Sequence, residues 1–276
     1  MYNFDYVKPG SVDEAVAVLS DDEAMPISGG QTLIPTLKAR LAMPTQLVDL
    51  SGAVPKGIRM DRGGAVFIGG ATTHATVAAS SDAGAVAGLA GLAAHIGDPQ
   101  VRNKGTIGGS LANNDPAACY PSAALALGAE IVTNNRTIQA DDYFQGMFDT
   151  ALEEGEIITE IVFPSVHGDS GRGDQTRGRL VSGHYEKFVQ PASRFALTGV
   201  YVARFSNAVR VAVTGASEGG VFRWTDAEEA LTANFSADAV PAAPSADDMI
   251  GDIHGTPAYR AHLVQVMTKR AVIACG

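Results

Sequence analysis

Cysteine is scarce in this sequence: Cys119 and Cys275 are the only two among 276 residues. That excludes a disulfide framework. It equally excludes an iron–sulfur cluster or a zinc ribbon held by this chain alone. Positive charge is also in short supply. Twenty Lys and Arg face thirty Asp and Glu, a formal net charge of −10, which argues against nucleic acid or an anionic membrane surface as the main partner. Any phosphate binding is therefore local, built from backbone N–H groups and a few cations. Long hydrophobic runs are missing. The longest small-apolar stretch, Ala83 to Ile96, is broken by glycines and His95 and is too short to span a bilayer, so no membrane insertion is expected. The start, Met1 to Tyr6, has no basic stretch followed by an apolar one, so the sequence reads as lacking a secretory signal and a reducing cytoplasm is the expected compartment. The histidines, among them His74 at a helix start and His95 at a helix end, show no metal-ligand spacing. No nucleophile elbow is visible, and neither a catalytic residue nor a metal site is assigned.

What is present is glycine in pairs. Ile27-Ser28-Gly29-Gly30-Gln31-Thr32-Leu33 and Thr106-Ile107-Gly108-Gly109-Ser110 each put two glycines beside hydroxyl or amide side chains where an apolar run ends. Without a Cβ in the way, such a backbone can offer several N–H groups to an anion. Neither segment is the G-x-G-x-x-G fingerprint, and no P-loop lysine follows. Taken alone, the first segment is as well explained by a strand-to-helix turn that needs positive φ. The second stands in a longer run, Gly97 to Pro116, where Arg102, Lys104, Thr106, Ser110, Asn113 and Asp115 crowd between two apolar helices. Two such loops point to one ligand gripped from both sides, and a diphosphate is the natural candidate.

The pattern of elements is mixed. Hydrophobic content of 46% with 18% charged residues is enough for a real core. Ser11 with Glu14 forms a capping box before a helix that sets Ala15, Val16 and Leu19 on one face. Ala24 to Ser28 and Leu47 to Leu50 read as strands. Between them lies a helix with Pro35 in its first turn and Lys38 and Arg40 along it. Further strands are predicted from Val66 to Gly70 and from Glu156 to Phe163, with helices over Thr72–Ala79, Ala85–His95 and Pro121–Leu127. Glu130 to Ile138 reads as a hairpin whose Asn134-Asn135 turn takes the positive φ of type I′. His167 to Arg179, rich in Gly, Asp and Arg, reads as a linker or a mobile loop that gates the site. Antiparallel β follows: His184 to Val189, then a hairpin of Phe195–Phe205 and Val209–Thr214. Thr225 is expected to cap a helix with Glu228 at its third position, and Tyr259 to Ala274 closes the chain as an amphipathic helix.

At the glycine segments the chain resembles the FAD-binding medium subunit of the molybdenum hydroxylases, the family of xanthine dehydrogenase and carbon monoxide dehydrogenase. The resemblance rests on Ser-Gly-Gly-Gln-Thr-Leu-Ile-Pro-x-x-Lys-x-Arg at 28–40 and Val-Arg-Asn-Lys-Gly-Thr-Ile-Gly-Gly-Ser at 101–110. It continues through Asn113-Asn114-Asp115-Pro116-Ala117-Ala118, Tyr185-Glu186-Lys187-Phe188 and the closing helix around Tyr259-Arg260. The implied fold is α+β. A two-lobed FAD-binding domain of the PCMH type spans 1–175, with lobes of about 1–55 and 56–175. A C-terminal domain over 180–276, like that of the carbon monoxide dehydrogenase flavoprotein, carries a three-stranded antiparallel sheet and helices.

The same resemblance implies FAD on this chain. The segment Ile27, Ser28, Gly29, Gly30, Gln31, Thr32, Leu33 would wrap the diphosphate, and Thr106, Ile107, Gly108, Gly109, Ser110 would contact it and the ribityl chain from the other side. Ile96 and Ile158 would flank the rings. Asn114 and Asp115 belong to the continuing motif, and Lys187 lies near the flavin, with Tyr185 on the same strand face. The family generally has a carboxylate where this chain has Cys119, a weak hydrogen-bond partner. The implied partners are a large molybdenum-binding subunit carrying molybdopterin, a small iron–sulfur subunit carrying 2Fe-2S clusters, and an external electron acceptor, in a heterotrimer or a pair of them. This chain would take electrons from the iron–sulfur partner and pass them on. A self-sufficient FAD oxidoreductase and a non-redox module that keeps the fold are the rival readings.

Overall fold

The computed structural model describes residues 1–21, 23–164 and 178–276. The fold is mixed α and β around three principal sheets. The first is parallel. Asp5–Val7 and Ala24–Ile27 flank Gln46–Asp49, whose register sets Ile27 opposite Asp49. The Val12–Leu19 helix packs on this sheet through Ala15 and Leu19. Its start matches the expected cap: Ser11 Oγ accepts the Glu14 N–H at 3.2 Å, while Glu14 Oε2 accepts from Gly10 N at 2.7 Å. The Leu33–Lys38 helix follows with Pro35 inside it. Arg40 lies beyond its end in a left-handed turn (φ 59°), rather than on the helix as expected, and its guanidinium stacks over the Tyr2 ring.

The second sheet is antiparallel and five-stranded, in the order Ile58–Met60, Val66–Gly69, Ile158–Phe163, Glu130–Thr133, Thr137–Gln139. The hairpin over 130–139 forms, but neither Asn134 nor Asn135 has positive φ. The Thr133 hydroxyl accepts the N–H groups of Asn135 and Arg136 and so closes the turn without a primed geometry. The helix expected over 85–95 is broken into Ser81–Ala85 and Leu89–Ala94. Gly88 sits between them at φ 90°, close against the Gly183 carbonyl, and the Ala87 carbonyl accepts from the Tyr201 hydroxyl instead of continuing the helix.

The third sheet comprises Leu180–Val189, Ala196–Phe205, Val209–Ser217 and the short edge strand Gly220–Arg223, one strand more than the three expected. It is covered on both faces. Alternation divides its residues between two cores: Tyr201, Ala203 and Ala212 pack toward the wholly buried Tyr120–Leu127 helix, while Val200, Val202, Val211 and Val213 pack under the Pro257–Cys275 helix. The Thr225–Ala233 helix lacks the expected cap. Thr225 is its first residue, and Glu228 turns away to accept from Arg223 Nε at 2.9 Å and Val211 N at 3.0 Å. The segment read as a mobile loop, His167 to Arg179, lies outside the described residues except for Gly178 and Arg179. No helix among the described residues is long and apolar enough to cross a membrane.

Candidate cofactor cleft

The two glycine segments meet. Ser28 Oγ and Thr106 Oγ1 share a hydrogen bond of 2.9 Å across 78 residues of chain. Gly29 lies so close to the second segment that a Cβ on it would stand 2.2 Å from the Lys104 carbonyl oxygen. Gly30 turns the chain at φ 67°. Together they floor a cleft of about 590 Å3, the size of a cofactor site.

The backbones of the two segments are used differently. Among the described residues, the amides of Gly29, Gly30, Gln31 and Thr32 have no internal acceptor. Those of the second segment do: Ile107 N donates to Thr72 O, Gly108 N to Gly70 O, Gly109 N to Thr106 Oγ1 and Ser110 N to Thr106 O. The reading of both loops as open anion cradles is thus corrected for the second. Gly108 serves close packing, since a Cβ on it would come 2.6 Å from the Gly70 carbonyl oxygen.

The cleft wall brings together Ile27, Ser28, Gly29, Gly30, Gln31, Thr32, Leu33, Ile96, Thr106, Gly108, Gly109, Ser110, Asp115, Cys119, Ile158 and Lys187. Three expected residues do not reach it. Ile107 is buried in the core as the first residue of the Ile107–Asn113 helix. Asn114 ends that helix in the left-handed region, and its side-chain amide donates to the carbonyls of Gly146 and Asp149 at 2.8 Å each. Tyr185 runs across the third sheet over Gly199, which has no side chain to obstruct its ring.

Sequence reasoning missed other wall residues. His74, Gly70, Val101, Leu50 and Val54 line it too, and Ser193, Arg194 and Phe195 come from a turn of the third sheet. Gly69-Gly70 is a further glycine pair, ending an apolar strand, and was a usable signal for that stretch. Nothing local marks 193–195. That turn is built by Gln190, whose Oε1 accepts the N–H groups of Ala192 and Ser193 at 2.7 and 2.9 Å.

One end of the cleft is polar. Lys187 Nζ donates to the carbonyls of His95 (2.7 Å) and Arg194 (2.9 Å) and lies 3.7 Å from Cys119 Sγ. The ammonium's three donors are all engaged, so it is a fixed charge rather than a swinging one. Glu156 also lines the cleft. Burial alone would raise its pKa, but Arg136 at 3.0 Å, the Glu153 N–H and the Thr133 hydroxyl hold it below the ordinary value. His74 is pushed down to about 4, by burial first and then by the Arg102 charge, so it is a neutral imidazole at pH 7. Among the described residues no cluster of His, Cys, Asp and Glu could hold a metal ion. Free amides opposite hydroxyls, apolar walls at Ile96 and Ile158 and a cation at one end fit an extended dinucleotide with a flat ring system.

Comparison with known proteins agrees. Residues 2–166 match the family described as the FAD binding domain in molybdopterin dehydrogenase. The chain is 38% identical to the nicotine 6-hydroxylase medium subunit of Paenarthrobacter nicotinovorans, over 98% of this chain and 96% of that one. It is 30% identical to the glyceraldehyde dehydrogenase medium chain of Sulfolobus acidocaldarius, over 97% and 96%. A solved structure of carbon monoxide dehydrogenase from Hydrogenophaga pseudoflava, in a form lacking the Mo-pyranopterin moiety, superposes with a TM-score of 0.85 at 33% identity, covering 99% of this chain and 97% of the matched one. The class is therefore that of FAD-binding subunits of molybdopterin-dependent oxidoreductases. Within it, the chain belongs to the family of FAD-binding medium subunits of the molybdenum hydroxylases.

Proposed function

We propose that this chain is the electron-transfer subunit of a molybdenum hydroxylase complex. It would receive electrons from a small iron–sulfur subunit and deliver them to an external acceptor, while a large molybdenum-binding subunit handles the substrate. When bound, FAD supplies the exchange between single-electron and two-electron transfer. The chain's own residues bind and orient it. In this reading the free amides of Gly29 to Thr32 take the diphosphate, and the hydroxyls of Thr106 and Ser110 take polar groups from the opposite side. Ile96 and Ile158 flank the rings and exclude water, and Lys187 supplies a fixed positive charge at the flavin end that favours negative charge on the ring. The FAD-binding part is proposed to span 1–175, in lobes of about 1–55 and 56–175, with a separate C-terminal domain over 180–276 and the complex in the cytoplasm.

The observation that carries this reading is the set of unpaired amides at Gly29–Thr32, facing the second glycine segment across one cleft, in a chain of this family. The similar medium subunits are named for nicotine and glyceraldehyde enzymes, and that spread supports substrate choice residing on another chain. The test is to purify the chain with its partner subunits, add excess FAD and record the visible spectrum. Flavin absorbance that stays with the protein is expected; a colourless complex overturns the proposal.

A further inference from the structure

We propose that Cys119 is a site of oxidative modification, its sulfur accepting one oxygen atom from hydrogen peroxide to form a sulfenic acid. The inference goes beyond cofactor binding and rests on the polar corner around the sulfur. Cys119 lines the cleft, and Lys187 Nζ stands 3.7 Å from Sγ. The Tyr185 hydroxyl, buried and with no oxygen or nitrogen to bond to, has the same sulfur as a neighbour. Tyr185 is only 7% exposed. Gly199 makes this arrangement possible, because a Cβ there would come 2.2 Å from the Tyr185 hydroxyl oxygen.

A buried hydroxyl left with only a thiol, a poor acceptor, is costly. An oxygen on Sγ would meet two donors, the Lys187 ammonium and the Tyr185 hydroxyl. In the step, the S–O bond forms as the O–O bond of peroxide breaks. The sulfur is oxidised by two electrons and the leaving oxygen reduced, and the thiol proton passes to the departing hydroxide to give water. Cys119 is itself only 5% exposed, but it lines the cleft; Cys275 is an internal contrast, since it lies outside that cleft, its sulfur faces the Val202 carbonyl at 3.8 Å and burial pushes its thiol up to about 11 despite the Arg204 charge.

The test exposes the flavin-free full chain to hydrogen peroxide, traps sulfenic acid with dimedone and locates the adduct by mass spectrometry. The expected result is an adduct on Cys119 and none on Cys275. Labelling should be slowed about tenfold in Lys187→Met and slowed in Tyr185→Phe, while Lys187→Arg keeps most of the rate. Tyr185→Phe retains the ring packing, so it serves as the readout if Lys187→Met does not fold. Absence of a Cys119 adduct in the parent chain, or an unchanged rate in the folded variants, overturns the proposal.

Discussion

The two glycine segments look alike when written out, yet they do opposite work. Gly29-Gly30 ends a parallel strand and leaves four consecutive amides, Gly29 to Thr32, without internal partners among the described residues. Gly108-Gly109 opens a helix, and the amides from Ile107 to Ser110 all donate within the protein. The first segment keeps its donors for a ligand, and the second spends them on holding the floor of the cleft against Gly70 and Thr72. A glycine pair therefore does not by itself report what its glycines are for. Their use depends on what lies opposite, and only a distant part of the chain supplies that.

This contrast can be broken most severely at the contact between the segments. Gly29→Ala places a methyl against the Lys104 backbone, and Gly108→Ala places one against Gly70. Each is expected to cost about 3 kcal/mol in denaturant unfolding. Gly109→Ala meets only the Thr106 hydroxyl at 2.9 Å and the Ser28 Cβ at 3.8 Å, and should cost far less. Equal losses at Gly108 and Gly109 would contradict the packing role assigned to the second segment.

Acid should act from the second segment's side. His74 abuts Gly105, and its pKa of about 4 lies below that of an exposed histidine. Between about pH 6.5 and 4 the unfolded chain binds a proton that the folded chain refuses. Stability is therefore full above this window and falls by about 3 kcal/mol as the pH drops through it. His74→Phe, which keeps a ring against Tyr120, should flatten that part of the pH–stability curve. An unchanged curve would mean that His74 is not the group responsible.

A smaller effect is expected from Thr106→Val. It removes the hydrogen bond to Ser28 and the cap on Gly109 N, and should lower stability by about 1–2 kcal/mol, measured by thermal or urea unfolding without ligand. The mildest probe alters no residue. In hydrogen exchange, the amides of 29–32 should be fast in the flavin-free chain and gain about tenfold protection on adding FAD, while those of 107–110 change little. Equal gains in both segments would erase the distinction.

Much of the architecture was legible in the residues. The Ser11 cap, the Val66 strand and the closing helix follow from short-range patterns, because capping and periodicity involve neighbours in the chain. Errors fell where a distant group overrode the local preference. Tyr201 and Gly183 break the 85–95 helix, and Arg223 draws Glu228 away from its cap. The same holds at the cleft. Asn114 carries the motif but spends its amide on the 144–150 hairpin, and the wall residues 193–195 have no local mark at all.

By itself the sequence determined the mixed α and β elements, the two glycine-rich segments, the family, and the poverty of cysteine that excludes a cysteine-held cluster on this chain alone. Those properties are encoded residue by residue or in short spacings. Only the tertiary structure decided which segment keeps its amides free, that Lys187 is pinned by His95 and Arg194, and that Cys119 and Tyr185 share one corner. Hydrogen-bond donors are finite, and whether one is spent or available depends on which acceptor the fold brings within about 3 Å.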